Sequence, residues 1–129
     1  MISLTDDKKR FILSCLLVLF TSCSSERDFG FPKYLTIPGK GGEVIVSGKT
    51  AFFNAAIMDY NGNNNSLEGL SEDGIETVVF DWLRAEYKKL GTDTIKLIAS
   101  PNNTGKNRNL YLELYSGQKY CVIKVWQNK

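Results

Sequence analysis

Histidine is absent from the 129 residues. With it go the imidazole bases of Ser-His and Cys-His nucleophile activation and every histidine-ligated metal site. Cysteine is scarce: Cys15 and Cys23 lie near the start, and only Cys121 remains in the body of the chain. A lone thiol makes neither an intramolecular disulfide nor a zinc site, so a fold here must rest on its apolar core. Neither sign of charge dominates, with 16 Lys and Arg against 14 Asp and Glu. The formal net charge is +2, and it falls to +1 once residues 1–22 are set aside, because Lys8, Lys9 and Arg10 leave together with Asp6 and Asp7. With no basic cluster elsewhere, the composition argues against nucleic acid as a partner. The apolar run at residues 11–20 is too short for a membrane-spanning helix, which needs about 20 apolar residues.

What stands at the start is a targeting pattern. A basic flank (Lys8, Lys9, Arg10) precedes the apolar run, which ends at Phe20-Thr21-Ser22-Cys23. Small residues just before a cysteine resemble the lipobox of bacterial lipoproteins, with Phe20 standing where leucine is usual. The resemblance implies a signal peptide at residues 1–22, acylation of Cys23 as the mature N-terminus, and a short tether over residues 23–31. One folded domain over residues 32–129 follows, anchored through lipid to the outer membrane of the cell envelope, on its surface or its periplasmic face. The competing reading is an ordinary secretory signal cut nearby, with Cys23 unmodified. Cys15 belongs to the signal itself.

The mature chain reads as short β-rich runs separated by glycine and asparagine. Residues 34–37 and 43–47 are expected strands around the turn Pro38-Gly39-Lys40-Gly41-Gly42, and residues 52–60 form a third. Residues 61–74 are dense in Asn and Gly and read as a long polar loop without regular structure. A fourth strand is expected over residues 77–86 and a fifth over 94–100. Around residues 83–90 two patterns compete. Leu83, Tyr87 and Leu90 have helical spacing, whereas Val78-Val79-Phe80 just before them favours a strand.

The last hairpin is specific down to its register. Leu110, Leu112 and Leu114 alternate with Tyr111, Glu113 and Tyr115; Cys121, Ile123 and Val125 alternate with Tyr120, Val122, Lys124 and Trp126. A two-residue turn at Gly117-Gln118, glycine first as a type II′ turn requires, pairs Ser116 with Lys119. Leu114 then meets Cys121, Leu112 meets Ile123 and Leu110 meets Val125, all on one face. One more residue in the turn would oppose apolar to polar on every rung. About seven such strands imply an all-β sandwich of two sheets, with Cys121 buried as a small apolar residue.

Gly41-Gly42-Glu43-Val44-Ile45-Val46, Phe52-Phe53, Asp81-Trp82-Leu83, Thr94-Ile95-Lys96-Leu97-Ile98-Ala99, Asn103-Thr104-Gly105-Lys106-Asn107-Arg108 and the closing Val122-Ile123-Lys124-Val125-Trp126-Gln127, taken in that order, resemble the BACON domain of Bacteroidetes. The resemblance spans about residues 33–127 and implies an immunoglobulin-like β-sandwich. It also implies a strand at residues 81–86, a hairpin near residues 88–93, and a secreted setting beside glycan-degrading enzymes. The chain departs from the family in its 61–74 loop, which looks longer than usual, and in having no catalytic domain beside the module.

The remaining motifs exclude more than they assign. Gly48-Lys49-Thr50 has five residues back to Gly42, where a phosphate-binding loop needs four, and those five read as a strand. Asp59, Asn61 and Asn63 have calcium-loop spacing, but Asn64 replaces the glycine and Leu70 the bidentate acid. Carboxylates such as Glu113 and Asp81 read as solvated charges rather than a glycosidase pair. No catalytic residue, metal or cofactor is expected. The functional signal is the second face of the last hairpin. Tyr115 opposes Tyr120, Tyr111 opposes Lys124, and Trp126 lies beyond. Rings interleaved with polar groups are what a weak glycan platform requires, and the same rings also stabilise a sheet with no ligand. The first expectation is a structural or protein-interaction module of the envelope, accessory to glycan uptake and partnered by another envelope protein. The alternative is weak binding of a polysaccharide or mucin glycan through Tyr111, Tyr115, Tyr120 and Trp126.

Overall fold

Alternation of apolar and polar residues produces nine strands among the described residues, 29–61, 67–70 and 73–129, of the computed structural model. They are β1 (Tyr34–Ile37), β2 (Gly42–Phe52), β3 (Asn54–Met58), β4 (Leu67–Leu70), β5 (Ile75–Phe80), β6 (Leu83–Lys88), β7 (Thr92–Ala99), β8 (Arg108–Ser116) and β9 (Lys119–Gln127), with no helix among them. The expected signal at residues 1–22, Cys23 and parts of the 61–74 loop lie outside the described residues.

The strands form two sheets, β1-β9-β8-β3 and β2-β7-β6-β5-β4. The chain crosses between them four times, from β1 to β2, β2 to β3, β3 to β4 and β7 to β8, and β1 lies parallel to β9. This is the crossing pattern of an immunoglobulin-like β-sandwich, with nine strands among the described residues where about seven are expected, because β4 is added and the strand expected at residues 77–86 is divided into β5 and β6. The β8–β9 register is the one its alternation dictates: Ser116 pairs with Lys119, Leu114 with Cys121, Leu112 with Ile123 and Leu110 with Val125. Gly117 takes φ +65° in the turn, a conformation that glycine adopts without Cβ strain. All six apolar side chains of these rungs are buried. They face Leu83, Ala85, Ile95 and Leu97 in the core formed with the opposite sheet.

Three sequence expectations change. The single strand expected at residues 77–86 is two strands, folded at Asp81-Trp82 so that Phe80 pairs with Leu83. Asp81 sits at φ +55°, where aspartate is among the residues most tolerated. The two-residue turn shifts the inward parity, so Val78 is buried before the turn and Leu83, Ala85 and Tyr87 after it. A continuous strand would have sent Arg84 and Glu86 into the core. Leu90, the last residue of the helical pattern, lies 93% exposed in the next turn.

The second change concerns the 61–74 loop, which contains β4, paired with β5 from Leu67 opposite Val79 to Leu70 opposite Glu76. Pairing along an edge uses backbone groups, which asparagine-rich flanks do not remove. The third moves the domain boundary. Phe29 and Phe31, assigned to the tether, are buried. The Phe29 carbonyl accepts hydrogen bonds from the amides of Lys49 (2.7 Å) and Thr50 (3.1 Å), and the segment packs over Gly48, where a Cβ would lie 2.4 Å from the Phe31 ring. Phe31 meets Phe52 edge-on at 5.9 Å, and Phe52 meets Tyr87 at 5.2 Å. The Tyr87 hydroxyl accepts a hydrogen bond from the Ala55 amide (3.1 Å), joining the two sheets through the core.

At one end of the sandwich a buried amide ties four segments together. Gln127 is fully buried; its Nε2 donates to the carbonyls of Ser100 (2.7 Å) and Pro38 (3.2 Å), and its Oε1 accepts from Arg108 Nε (2.7 Å). Arg108 in turn donates to the Pro101 carbonyl (3.2 Å) and lies 4.8 Å over the Trp82 ring. A buried polar side chain is tolerated when its bonds are made, and here they fix the end of β9 against two loops and the start of β8.

Candidate ligand-binding face

The period of two that buries Leu110, Leu112 and Leu114 sends Tyr111, Glu113 and Tyr115 to the outer face of the four-stranded sheet. On β9 the same parity presents Tyr120, Val122, Lys124 and Trp126, and β1 adds Tyr34 opposite Lys124. Met58 on β3 pairs with Tyr111, and Tyr60, two residues on, packs against the Tyr111 ring at 4.7 Å with the planes tilted by 48°. Five of the six tyrosines in the chain therefore gather on this face. The sixth, Tyr87, is in the core.

At the centre is Glu113, 7% exposed on an otherwise aromatic surface. A carboxylate so far removed from water needs donors, and it has two: the Tyr60 hydroxyl donates to Oε2 and the Tyr115 hydroxyl to Oε1. Both phenols are held in their neutral form. Burial first, and then the bond to Glu113, raises the Tyr60 pKa far above its ordinary value. The bond to Glu113 first, and then burial, pushes Tyr115 up to about 12. Ionising either phenol would set a second negative charge beside the carboxylate. With both oxygens engaged, Glu113 organises the rings around it.

To one side of Glu113, Tyr115 and Tyr120 stack at 5.7 Å with 27° between their planes. To the other, the Lys124 ammonium lies 4.2 Å from the Trp126 ring centre and 5.6 Å from that of Tyr111, the geometry of a cation over aromatic faces. An open depression of about 500 Å³ separates these groups, lined by Lys33, Tyr34, Tyr111, Tyr120, Cys121, Val122 and Lys124. Its origin is a mismatch of strand lengths. The four residues of β1 pair only with Lys124–Gln127, so Tyr120 and Val122 have no strand beside them on that flank among the described residues.

The structure thus brings Tyr111, Tyr115, Tyr120 and Trp126 onto one face, in the expected pairs Tyr115 with Tyr120 and Tyr111 with Lys124. They are not equally open. Tyr120 is 55% exposed; Tyr111, Tyr115 and Trp126 are half-buried. Tyr34, 65% exposed, and Tyr60 were missed from sequence. For Tyr60 a signal existed, since it continues the outward parity of Ala56 and Met58. For Tyr34 there was none, because a parallel pairing of β1 with β9 joins distant parts of the chain. Glu113 and Asp81 lie on different sheets, Glu113 on the outer face and Asp81 in the β5–β6 turn.

No family model matches the chain, and no curated protein matches it. Among solved structures it is similar to the NMR structure of a protein from Bacteroides thetaiotaomicron, with a TM-score of 0.47, 16% identity, and coverage of 76% of this chain and 81% of that one. It is also similar to part of a Bacteroides ovatus GH5 xyloglucanase in complex with a XXXG heptasaccharide, with a TM-score of 0.40 and 15% identity. That likeness covers 74% of this chain and 17% of the xyloglucanase. At these scores neither likeness bears on what this chain does.

Proposed function

We propose that this chain is a non-enzymatic cell-envelope lipoprotein, acylated at Cys23, whose BACON-like domain binds glycan weakly through the outer face of its four-stranded sheet. The observation that carries this reading is the gathering of five tyrosines and Trp126 on that face, where Tyr34, Tyr111 and Tyr120 line an open depression of about 500 Å³. The volume falls in the range of ligand clefts, about 300–1,000 Å³. Ring faces stack on the apolar side of a pyranose, and phenol and ammonium groups meet its hydroxyls. Two open rings, Tyr34 and Tyr120, contributing about 1 kcal/mol each, with a few exposed hydrogen bonds, correspond to about millimolar affinity. Many lipid-anchored copies on one surface hold a polymer through avidity.

The test is a glycan and polysaccharide screen with the acylated chain at high density on neutral liposomes. Reproducible retention that a Tyr34→Ala/Tyr120→Ala variant loses while staying folded supports the reading. A folded wild type that retains nothing removes it. Lipid anchoring has its own check: Cys23→Ser must release the protein from the membrane fraction and abolish fatty-acid labelling.

A second reading, a structural or protein-interaction module accessory to glycan uptake, is favoured by how many groups of this face engage one another. Tyr60 and Tyr115 are bound to Glu113, and Lys124 sits over Tyr111 and Trp126. It predicts a discrete crosslink to one envelope protein, absent in variants of this face.

A further inference from the structure

We infer that the depression beside β1 takes an acidic sugar, a glycan unit carrying a carboxylate of the uronic-acid kind; this inference rests on the glycan reading above. Two of the seven residues that line it, Lys33 and Lys124, are cationic, and none is acidic. Among the described residues the ion pairs are Arg84 with Glu86, Lys96 with Glu86 and Lys89 with Glu76, all on the five-stranded sheet or the turn that follows β6. Neither Lys33 nor Lys124 has an acid within ion-pair distance among those residues. Glu113, the acid of this face, has both oxygens taken by the Tyr60 and Tyr115 hydroxyls and is 7% exposed.

Lys124 is also pre-positioned. Its ammonium rests 4.2 Å from the Trp126 ring centre and 5.6 Å from that of Tyr111, so a ligand anion meets a cation already held at the rim and little ordering remains to be done. A uronate suits this arrangement because its carboxylate projects from the edge of the pyranose. One ring face stacks on an open tyrosine, Tyr34 or Tyr120, while the edge group reaches the ammonium. The phenols of the lining that the carboxylate of Glu113 does not occupy, those of Tyr34, Tyr111 and Tyr120, are placed to meet the remaining hydroxyls.

The experiment is co-sedimentation of the acylated chain on neutral liposomes with polygalacturonate, with its methyl ester, in which each charge is neutralised, and with dextran sulfate. Lys124→Gln and Lys33→Gln test the depression. Lys88→Gln, an exposed position on β6 of the other sheet, makes the same change in net charge elsewhere, and circular dichroism and melting temperature establish that each variant is folded. Polygalacturonate is expected to bind about fivefold more tightly than its ester, and Lys124→Gln to remove most of that difference, the scale of one exposed ion pair, while Lys88→Gln leaves it intact. Equal binding of the ester overturns the acidic-sugar inference and leaves the glycan reading standing, as does retention of neutral polysaccharides alone. Equal binding of dextran sulfate, or equal loss in Lys88→Gln, reduces the effect to general charge attraction and also overturns it. If no polysaccharide of any kind is retained, both readings fall together.

Discussion

Replacing Glu113 with glutamine keeps the shape of the side chain and changes its hydrogen-bond chemistry. In the native protein each carboxylate oxygen accepts a phenol, Tyr60 on one and Tyr115 on the other. Glutamine offers one acceptor and a two-proton donor, so one phenol keeps a neutral bond and the other must turn its hydroxyl to accept. A hydrogen bond to a charged group contributes about 1.5–3 kcal/mol and a neutral one about 1 kcal/mol. Two effects reduce the loss. Tyr60 is 49% exposed, so water replaces its partner, and removing a buried charge returns part of its desolvation penalty. The net destabilisation should be about 1 kcal/mol, a fall in melting temperature of about 4–8 °C for a domain of this size.

The same substitution has a spectroscopic signature. With folded-state pKa values raised above the ordinary tyrosine value of about 10, Tyr60 and Tyr115 contribute stability that is fully present below pH 10. That stability is lost as pH rises through about 12, where Tyr115 ionises. Tyrosinate absorbance should therefore show a late-titrating fraction in the wild type, coincident with alkaline unfolding. In Glu113→Gln the Tyr115 fraction should move back toward pH 10. A wild type whose tyrosines all titrate near pH 10, or a variant whose titration is unchanged, would refute the reasoning.

Two further predictions concern the scaffold. Gln127→Leu removes three hydrogen bonds, to Ser100, Pro38 and Arg108, and leaves their partners at the rim of the core. It should lower unfolding free energy in urea by about 2–4 kcal/mol, and a loss under 1 kcal/mol would mean that water replaces the amide. Gly48→Ala drives a methyl group to 2.4 Å from the Phe31 ring and 2.6 Å from the Phe29 carbonyl. The segment must lift, at about 2 kcal/mol or more, and amide exchange at Lys49 and Thr50 should accelerate with it.

How much of this was legible follows the range of the interactions. In the last hairpin, partners are close in sequence and a glycine fixes the turn, so every rung from Ser116 with Lys119 to Leu110 with Val125 was readable. The β5–β6 turn was readable in principle, because Leu83, Ala85 and Tyr87 alternate out of phase with Val78 and Phe80. The helical spacing of Leu83, Tyr87 and Leu90 masked it. β4 was hidden by its composition, since edge pairing requires only backbone groups. The burial of Phe29 and Phe31 depends on a register shift in β2 between Ser47 and Phe52, which no local pattern announces. The candidate site divides in the same way. Tyr111, Tyr115, Tyr120 and Trp126 came from local alternation, while Tyr34 and the depression depend on a parallel pairing between the two ends of the domain.

The central claim, that the outer face of the four-stranded sheet is a glycan surface, is tested most directly by polysaccharide retention on liposomes bearing the acylated chain, wild type against Tyr34→Ala/Tyr120→Ala. Both rings are largely exposed, 65% and 55%, so their removal should cost little beyond the Tyr115–Tyr120 stack, about 1 kcal/mol, and leave the domain folded. The account predicts clear retention by the wild type and its loss in the folded variant. Retention that survives the loss of both rings, or none by a folded wild type at any surface density, would contradict it.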